Sequence, residues 1–125
     1  IRDNVIFTGE IDNVASYLSA FDVMLLPSLY EGLPMAVIEW QIAGLPCIVS
    51  DVVTKECAIT PLVKFMSIEE KPQEWEVNIE NTVLQNRERS KDLLFNSIRN
   101  AGYDIELGAK RLRNIYIRLY KESRD

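Results

Sequence analysis

The chain has 125 residues, 47% hydrophobic and 26% charged, a balance ordinary for one globular domain that can bury a core. Its net charge of −5 argues against broad nucleic-acid affinity, which needs clustered Lys and Arg, but it allows a small anion held by backbone N–H groups. Because Cys47 and Cys57 are the two cysteines and histidine is absent, we expect reduced structural thiols in a cytosolic protein and no metal site.

The first part of the chain predicts strands and helices in alternation. After a start at Ile1 that is typical of a piece of a longer protein, Val5–Thr8 is short, apolar and β-branched, which predicts a buried strand. Asn13 is expected to cap a helix that ends near Ala20. Val23–Leu26 has no polar face, so it predicts a second strand that is covered on both sides.

A second helix and a third strand follow. Pro34 fits the first turn of a helix over Met35–Ala43, and Gly44 fits its C-terminal cap. Pro46 then opens a strand over Cys47–Ser50. A β-α-β-α-β pattern of this length predicts right-handed crossovers and a parallel, doubly wound sheet, so the expected fold class is α/β, with a Rossmann-like parallel sheet and flanking helices.

The second part of the chain is less regular. One or two short strands are expected within residues 59–66, and a helix is expected from Pro72. Two more helices are predicted, over about 89–100 and 104–122. No Gly/Ser linker interrupts the sequence, so residues 1–125 are interpreted as a single domain with a terminal helix at 104–123.

Two glutamates, Glu31 and Glu39, flank the predicted start of the second helix. In parallel α/β sheets ligands bind beyond the carboxyl ends of the strands, where the loops 9–12, 28–33 and 51–56 are expected to converge. Free N–H groups at a helix start attract phosphate, and an ionised carboxylate accepts hydrogen bonds from neighbouring sugar hydroxyls. A ligand with both hydroxyls and phosphates, such as a nucleotide-sugar, suits this combination.

The ordered motifs of residues 5–56 resemble a known family. They comprise FTG, LLPS-xx-EGLP, the E-x7-E spacing of Glu31 and Glu39, and AGLPCIVSD. This string is similar to the C-terminal, donor-binding domain of a GT-B glycosyltransferase of the retaining family 4 (glycosyltransferase group 1).

The resemblance implies roles for individual residues. Glu39 would hold the ribose hydroxyls of a nucleotide, and Glu31 would contact hydroxyls of the transferred sugar. Backbone groups beside the open backbone of Gly32 would hold the pyrophosphate. The remaining donor-binding positions are the N–H groups of Leu33, Met35 and Ala36, with Ile11 against the base and Ser28 in the loop wall. It implies no metal or cofactor, and no catalytic residue is assigned within this chain.

The resemblance also implies a larger protein. A retaining hexosyltransferase would need an N-terminal acceptor domain and the first strand–helix units of this domain, so the 125-residue chain alone is predicted to be inactive and to self-associate. The whole enzyme would transfer a glycosyl group from an NDP-sugar to a glycan or lipid-linked acceptor, as in bacterial capsular or exopolysaccharide biosynthesis. The implied location is the cytoplasm, including peripheral association with the inner face of the membrane. A GT-B sugar-nucleotide epimerase and a non-catalytic nucleotide-binding domain stay open as alternatives.

Overall fold

Three short parallel strands form a sheet within residues 2–85 and 91–123, the part of the chain that the computed structural model describes. The strands are β1 (Met24–Leu26), β2 (Cys47–Ser50) and β3 (Val63–Met66), and β2 lies in the middle. Both ladders are parallel, so consecutive strands are joined by crossovers rather than by hairpins. The predicted α/β class with a parallel sheet is therefore confirmed.

Five α-helices accompany the sheet in the described part of the chain. They are α1 (Val14–Leu18), α2 (Met35–Ile42), α3 (Pro72–Gln85), α4 (Lys91–Asn100) and α5 (Ile105–Glu122). Within the described ranges, no helix combines the length and the apolar character that a bilayer span requires.

Local sequence explains where α2 begins and ends. Pro34 occupies the N-cap with φ −72°, a value that its ring imposes. At the other end, Gly44 adopts φ +79°, a left-handed conformation that glycine tolerates best. The Gly44 N–H bonds to the Gln41 carbonyl at 3.0 Å and the Leu45 N–H to the Trp40 carbonyl at 2.9 Å. This pair of bonds is the Schellman motif, which satisfies carbonyl groups at the end of a helix.

The core lies between β2 and α2. All four residues of β2 are buried, and α2 places Val37 and Ile38 in the interior. Across the ladders, Val49 is level with Leu26 on one side and with Phe65 on the other. The buried cluster consists of Val37, Ile38, Cys47, Val49, Val53 and Cys57.

The cover of β1 is less complete than its sequence predicts. Leu25 is 40% exposed and lines a cavity of about 480 Å³ together with Trp75 and Ile79 of α3. Successive side chains of a strand point to opposite faces of the sheet. Met24 and Leu26 contact the buried cluster on the α2 face, so Leu25 and the α3 residues beside it lie on the other face. Helices therefore flank both faces of the sheet, but the apolar side chain in the middle of β1 still borders open space.

The strand predicted over Val5–Thr8 is wrong. These residues form no strand, and Ile6 and Phe7 are 86% and 93% exposed. A strand is stable only when its backbone groups pair with a neighbour, and both edges of β2 are already occupied by β1 and β3. Residues 5–8 are not paired with the outer edge of β1 either, so their apolar side chains have no sheet surface to cover. The observed parallel sheet therefore begins with β1.

Most other predicted elements are present with small shifts. Asn13 caps α1, its side chain accepting from the Ser16 N–H at 3.2 Å, but the helix ends before Ala20. Of the short strands predicted within 59–66, the structure contains β3. The predicted start of α4 near Arg89 lies outside the described residues, whereas its end at Asn100 agrees with the prediction.

Candidate functional site

Two loops meet at the carboxyl edge of the sheet. One follows β1 from Pro27 and the other follows β2 from Asp51, and these strands are parallel neighbours. The Ser50 hydroxyl donates a hydrogen bond to the Ser28 carbonyl oxygen, which ties the end of β2 to the first loop. Because this is the edge where parallel α/β sheets bind ligands, the two loops define the candidate site.

The first loop presents the Glu31 carboxylate. The Ser28 hydroxyl lies 2.9 Å from Glu31 Oε1 and 3.2 Å from the Tyr30 carbonyl oxygen, so it holds the turn and the acid together. Glu31 is half-buried, and an ionised carboxylate has acceptor capacity beyond this one bond. Gly32 does not have a positive φ, but a β-carbon placed there would have no heavy atom within 4 Å. The space above its backbone is therefore open to a ligand.

The start of α2 follows this loop directly. The N-cap residue is Pro34, whose ring has no oxygen with which to accept from the first N–H groups of the helix. The Val37 N–H already bonds to the Pro34 carbonyl at 3.0 Å, whereas the N–H groups of Met35 and Ala36 precede the first intrahelical bond. Leu33, Met35 and Ala36 are all exposed. The predicted phosphate-binding backbone is thus accessible and carries the positive end of the helix dipole.

Glu39 lies one turn further along α2, at the border of an apolar cleft. It is exposed, and the cleft between α1 and α2 has a volume of about 510 Å³. Apart from Glu39, small and apolar side chains dominate its lining, which comprises Val14, Ala15, Leu18, Ser19, Ile42 and Ala43. A carboxylate at the edge of an apolar cleft can accept hydrogen bonds from a ligand whose flat or apolar part lies in the cleft.

The segment that contains Ile11 reaches the site differently from the prediction. The loop 9–12 does not follow a strand of the sheet, so the expected convergence of three strand-end loops holds for two of them. Ile11 is half-buried and lies just before α1, the helix that lines the cleft beside Glu39. Ile11 is therefore connected to the cleft beside Glu39 by α1 and not by a strand end at the sheet edge.

Sequence reasoning missed two polar residues that hold the site together. Ser50 joins the two loops, and Gln41 is fully buried where it connects α2 to residues 57–60. The available signal for Gln41 is its position four residues after Val37 and three after Ile38, on the apolar side of α2. A polar residue on that side has to find partners inside the protein.

The two cysteines are structural. Cys47 and Cys57 are buried in the core cluster and are both free thiols. Burial raises the pKa of Cys47 to about 12, and the nearby Cys57 adds to the rise. Burial also raises the pKa of Cys57. Among the described residues, no group of three or more Cys, Asp and Glu side chains is arranged to hold a metal ion.

Comparison with known proteins identifies a family of glycosyl transferases. The model of the family described as "Glycosyl transferases group 1" matches residues 1–83. The EpsF protein of Bacillus subtilis (strain 168), which is named as a glycosyltransferase, is 33% identical over 117 residues, covering 93% of this chain and 30% of that protein.

Two further relatives match shorter stretches. The UDP-Gal:alpha-D-GlcNAc-diphosphoundecaprenol alpha-1,3-galactosyltransferase of Escherichia coli is 39% identical over 59 residues, which are 47% of this chain and 15% of the enzyme. The N-acetyl-alpha-D-glucosaminyl L-malate synthase of Bacillus anthracis is 44% identical over 48 residues, which are 38% and 13% of the two chains. The chain thus spans less than a third of the length of these relatives. No solved structure matches it significantly.

Proposed function

The chain belongs to the glycosyl transferases group 1 family, and on that premise we propose that it forms the donor-binding part of a retaining, family 4 glycosyltransferase with the GT-B fold. One observation carries the proposal. The exposed start of α2 has a half-buried carboxylate, Glu31, just before it and an exposed carboxylate, Glu39, one turn inside it. Backbone N–H groups that can bind phosphate thus lie between two carboxylates that can bind hydroxyls, all within one short segment.

In the proposed complex, an NDP-sugar lies along the first turns of α2. The N–H groups of Leu33, Met35 and Ala36 bind the diphosphate, helped by the helix dipole. Glu39 follows Met35 by four residues, or about 6 Å along the axis, which is the scale of the separation between a diphosphate and its ribose. Glu39 then accepts from the ribose hydroxyls, and Glu31 accepts from the hydroxyls of the sugar.

The cleft between α1 and α2 accounts for the remaining part of the donor. A nucleobase is flat and largely apolar on its faces, and the cleft beside Glu39 is lined mainly by apolar side chains. In this arrangement Ile11, which precedes α1, lies against the base, and Ser28 holds the loop that carries Glu31. The order base, ribose, diphosphate, sugar then runs from the cleft to the first loop.

The chemical contribution of this chain is positioning and charge stabilisation. As the bond between the sugar and the diphosphate breaks, negative charge grows on the departing diphosphate, and N–H groups already aimed at it stabilise the transition state. Glu31 and Glu39 bind hydroxyls in this scheme, and neither acts as a general base. The proposal assigns no metal or cofactor, because backbone N–H groups and the helix dipole supply the contacts to phosphate.

The whole enzyme would need more than this chain. We propose that an acceptor-binding domain completes the active site, and that the acceptor is a glycan or a lipid-linked sugar of polysaccharide biosynthesis. The relatives include a galactosyltransferase named for a diphosphoundecaprenol-linked sugar, which supports an acceptor of this class. A cytoplasmic location at the inner face of the membrane would suit such a lipid-linked acceptor.

Calorimetric titration tests the donor assignment. The 125-residue chain is titrated with UDP, GDP, ADP and dTDP and with their sugar conjugates. We expect weak binding of one base, and Glu39→Gln should lower that affinity by about tenfold, the equivalent of one lost hydrogen bond to a charged group. Glu69→Gln, which alters an exposed acid beyond β3, is the matched control and should leave the affinity unchanged. Equal affinities for Glu39→Gln and the parent chain would refute the ribose contact.

Product analysis tests the reaction itself. A longer protein that contains this chain should transfer the sugar of its preferred donor to an acceptor with retention of the anomeric configuration, whereas residues 1–125 alone should show no turnover. A free epimerised sugar without an extended acceptor would favour the epimerase alternative. Turnover by the 125-residue chain alone would contradict the assignment of the acceptor site to another domain.

A further inference from the structure

The side chain of Gln41 uses both of its polar groups inside the protein. Gln41 has no exposed surface, and its Nε2 group donates to the Val37 carbonyl at 2.8 Å and to the Cys57 carbonyl at 2.7 Å. Its Oε1 atom accepts from the Ile59 N–H at 3.0 Å, the Thr60 N–H at 2.9 Å and the Thr60 hydroxyl at 3.0 Å. One carboxamide therefore joins α2 to the segment 57–60.

This connection joins two elements that each begin at the candidate site and end away from it. On one side, Gln41 is two residues from Glu39 and on the same eight-residue helix whose start faces the ligand. On the other side, the segment 57–60 ends the loop that leaves the carboxyl edge of β2 at Asp51. The Ser50 hydroxyl holds the opposite end of that loop against Ser28. Gln41 thus fixes how far α2 lies from the loop beside it.

We propose that Gln41 is a positioning residue for donor binding, which acts by holding the start of α2 and Glu39 in place against the loop after β2. The inference rests on the proposed function, because it assumes that these groups contact a nucleotide-sugar. It assigns a binding role to a buried residue that touches no ligand.

The chemistry of the site favours a carboxamide at this position. An apolar side chain such as Leu fills space but leaves the Cys57 carbonyl and the N–H groups of Ile59 and Thr60 without the partner that Gln41 provides. A Glu side chain has nearly the same shape, and in its protonated form it can still donate one hydrogen bond to the Cys57 carbonyl. In its ionised form it has no donor and repels that carbonyl oxygen. Gln41→Glu therefore makes the connection dependent on pH.

Binding and stability measurements separate positioning from ordinary core packing. The probe is whichever of UDP, GDP, ADP and dTDP binds the 125-residue chain most tightly, and each affinity is corrected for the folded fraction measured by circular dichroism. Gln41→Leu should lower the affinity about tenfold, as expected when one bond to a charged ligand is misaligned. Val49→Ala, which removes buried atoms from β2, destabilises the fold and should leave the affinity of the folded chain unchanged.

A pH series gives a second, independent measurement. Relative to the parent chain, Gln41→Glu should lose affinity progressively as pH rises, since its ionised form cannot donate to Cys57. If Gln41→Leu does not fold, this pH profile decides alone, and a profile equal to that of the parent chain overturns the inference.

The outcomes distinguish the inference from the proposed function. If the parent chain binds none of the four diphosphates, the proposed function fails and the inference fails with it. If the parent chain binds and folded Gln41→Leu binds equally well, only the inference is overturned. If Val49→Ala loses as much affinity as Gln41→Leu, Gln41 is a core residue like any other and the positioning role is refuted.

Discussion

Replacing Gly44 by Ala should destabilise the protein through the backbone alone. Gly44 has φ +79°, and an L-residue in the left-handed region costs about 1–2 kcal/mol. The added β-carbon would lie 3.8 Å from Leu94 Cδ1, which is ordinary van der Waals contact, so no clash adds to the cost. The methyl group also restricts the unfolded chain, but that gain does not offset a native conformation that Ala tolerates poorly. We therefore expect a loss of about 1 kcal/mol in the free energy of unfolding.

The same substitution at Gly108 is a matched control of opposite sign. Gly108 lies inside α5 and does not have a positive φ, and apart from the adjacent residues and the backbone of its own helix, no heavy atom lies within 4 Å of an added β-carbon. Since Ala is favoured over Gly in a helix interior by about 0.8–1 kcal/mol, Gly108→Ala should stabilise its helix.

Urea unfolding followed by far-UV circular dichroism and Trp fluorescence measures both changes. For a slope of about 1–2 kcal/mol per molar urea, the Gly44→Ala midpoint should fall by roughly 0.5–1 M. Gly44→Asn should lie between Gly44→Ala and the parent chain, because Asn enters the left-handed region more easily than Ala. A Gly44→Ala protein as stable as the parent chain, or a loss of the same size for Gly108→Ala, would refute the dihedral argument.

Further predictions concern the thiols, the α5 cap and the exposed face of α5. The pKa of Cys47 is raised from 9.0 to about 12, so between these pH values the folded state keeps a proton that the unfolded state loses. The free energy of unfolding should therefore fall as pH rises through this range. Urea melts at a series of pH values should show a weaker alkaline dependence for Cys47→Ala than for the parent chain. At pH 8, a disulfide reagent should titrate neither Cys47 nor Cys57 in the native chain and both after unfolding. Asp104→Ala should cost about 1 kcal/mol in thermal or urea melts because Asp104 caps α5 through a 3.0 Å bond to the Leu107 N–H. Asp104→Asn should keep the cap and lose only the partly buried ion pair to Arg99, so equal losses for the two variants would contradict the capping role. The apolar side chains left exposed on α5 should make the chain self-associate, and Leu119→Lys should shift its sedimentation towards that of the monomer. A parent chain that is monomeric at every concentration would refute this expectation.

Local signals in the sequence account for the elements that were predicted correctly. The helix α2 has a Pro at its start, Gly44 after its end and apolar residues at helical spacing, so about a dozen consecutive residues are enough to predict it. Strand β2 begins with three apolar residues and is preceded by Pro46, and the structure gives it the predicted bounds. In both cases the same residues that set the local conformation also supply the buried surface.

The failed strand at residues 5–8 shows the limit of such signals. Its composition favours a strand, but whether a segment pairs with a sheet edge depends on tertiary contacts, which composition does not encode. The exposed Ile6 and Phe7 side chains are the consequence. For the same reason the loop 9–12 could not be placed at the sheet edge from the sequence alone.

The candidate site was predictable to the extent that it is local. Glu31 and Glu39 stand in one continuous segment around the start of a helix, so their relation follows from helix geometry. The contacts of Gln41 with the segment 57–60 join residues 16 to 19 positions apart, and the bond from Ser50 to Ser28 joins residues 22 apart. Such contacts exist only once the sheet and its loops have formed, so no sequence pattern could specify them.

The construction of α2 connects stability to the proposed ligand binding. A helix of eight residues is marginal on its own, and its first turn lacks the Ser, Thr, Asp or Asn cap that would contribute about 1 kcal/mol. A side-chain cap accepts from the second or third N–H group of a helix, so it would compete with the proposed diphosphate for the Ala36 N–H. The stabilising contacts therefore lie away from the ligand, in the Schellman motif at Gly44 and in the buried Gln41. Since α2 depends on these distant contacts, substitutions at its far end should affect the binding of a ligand at its start.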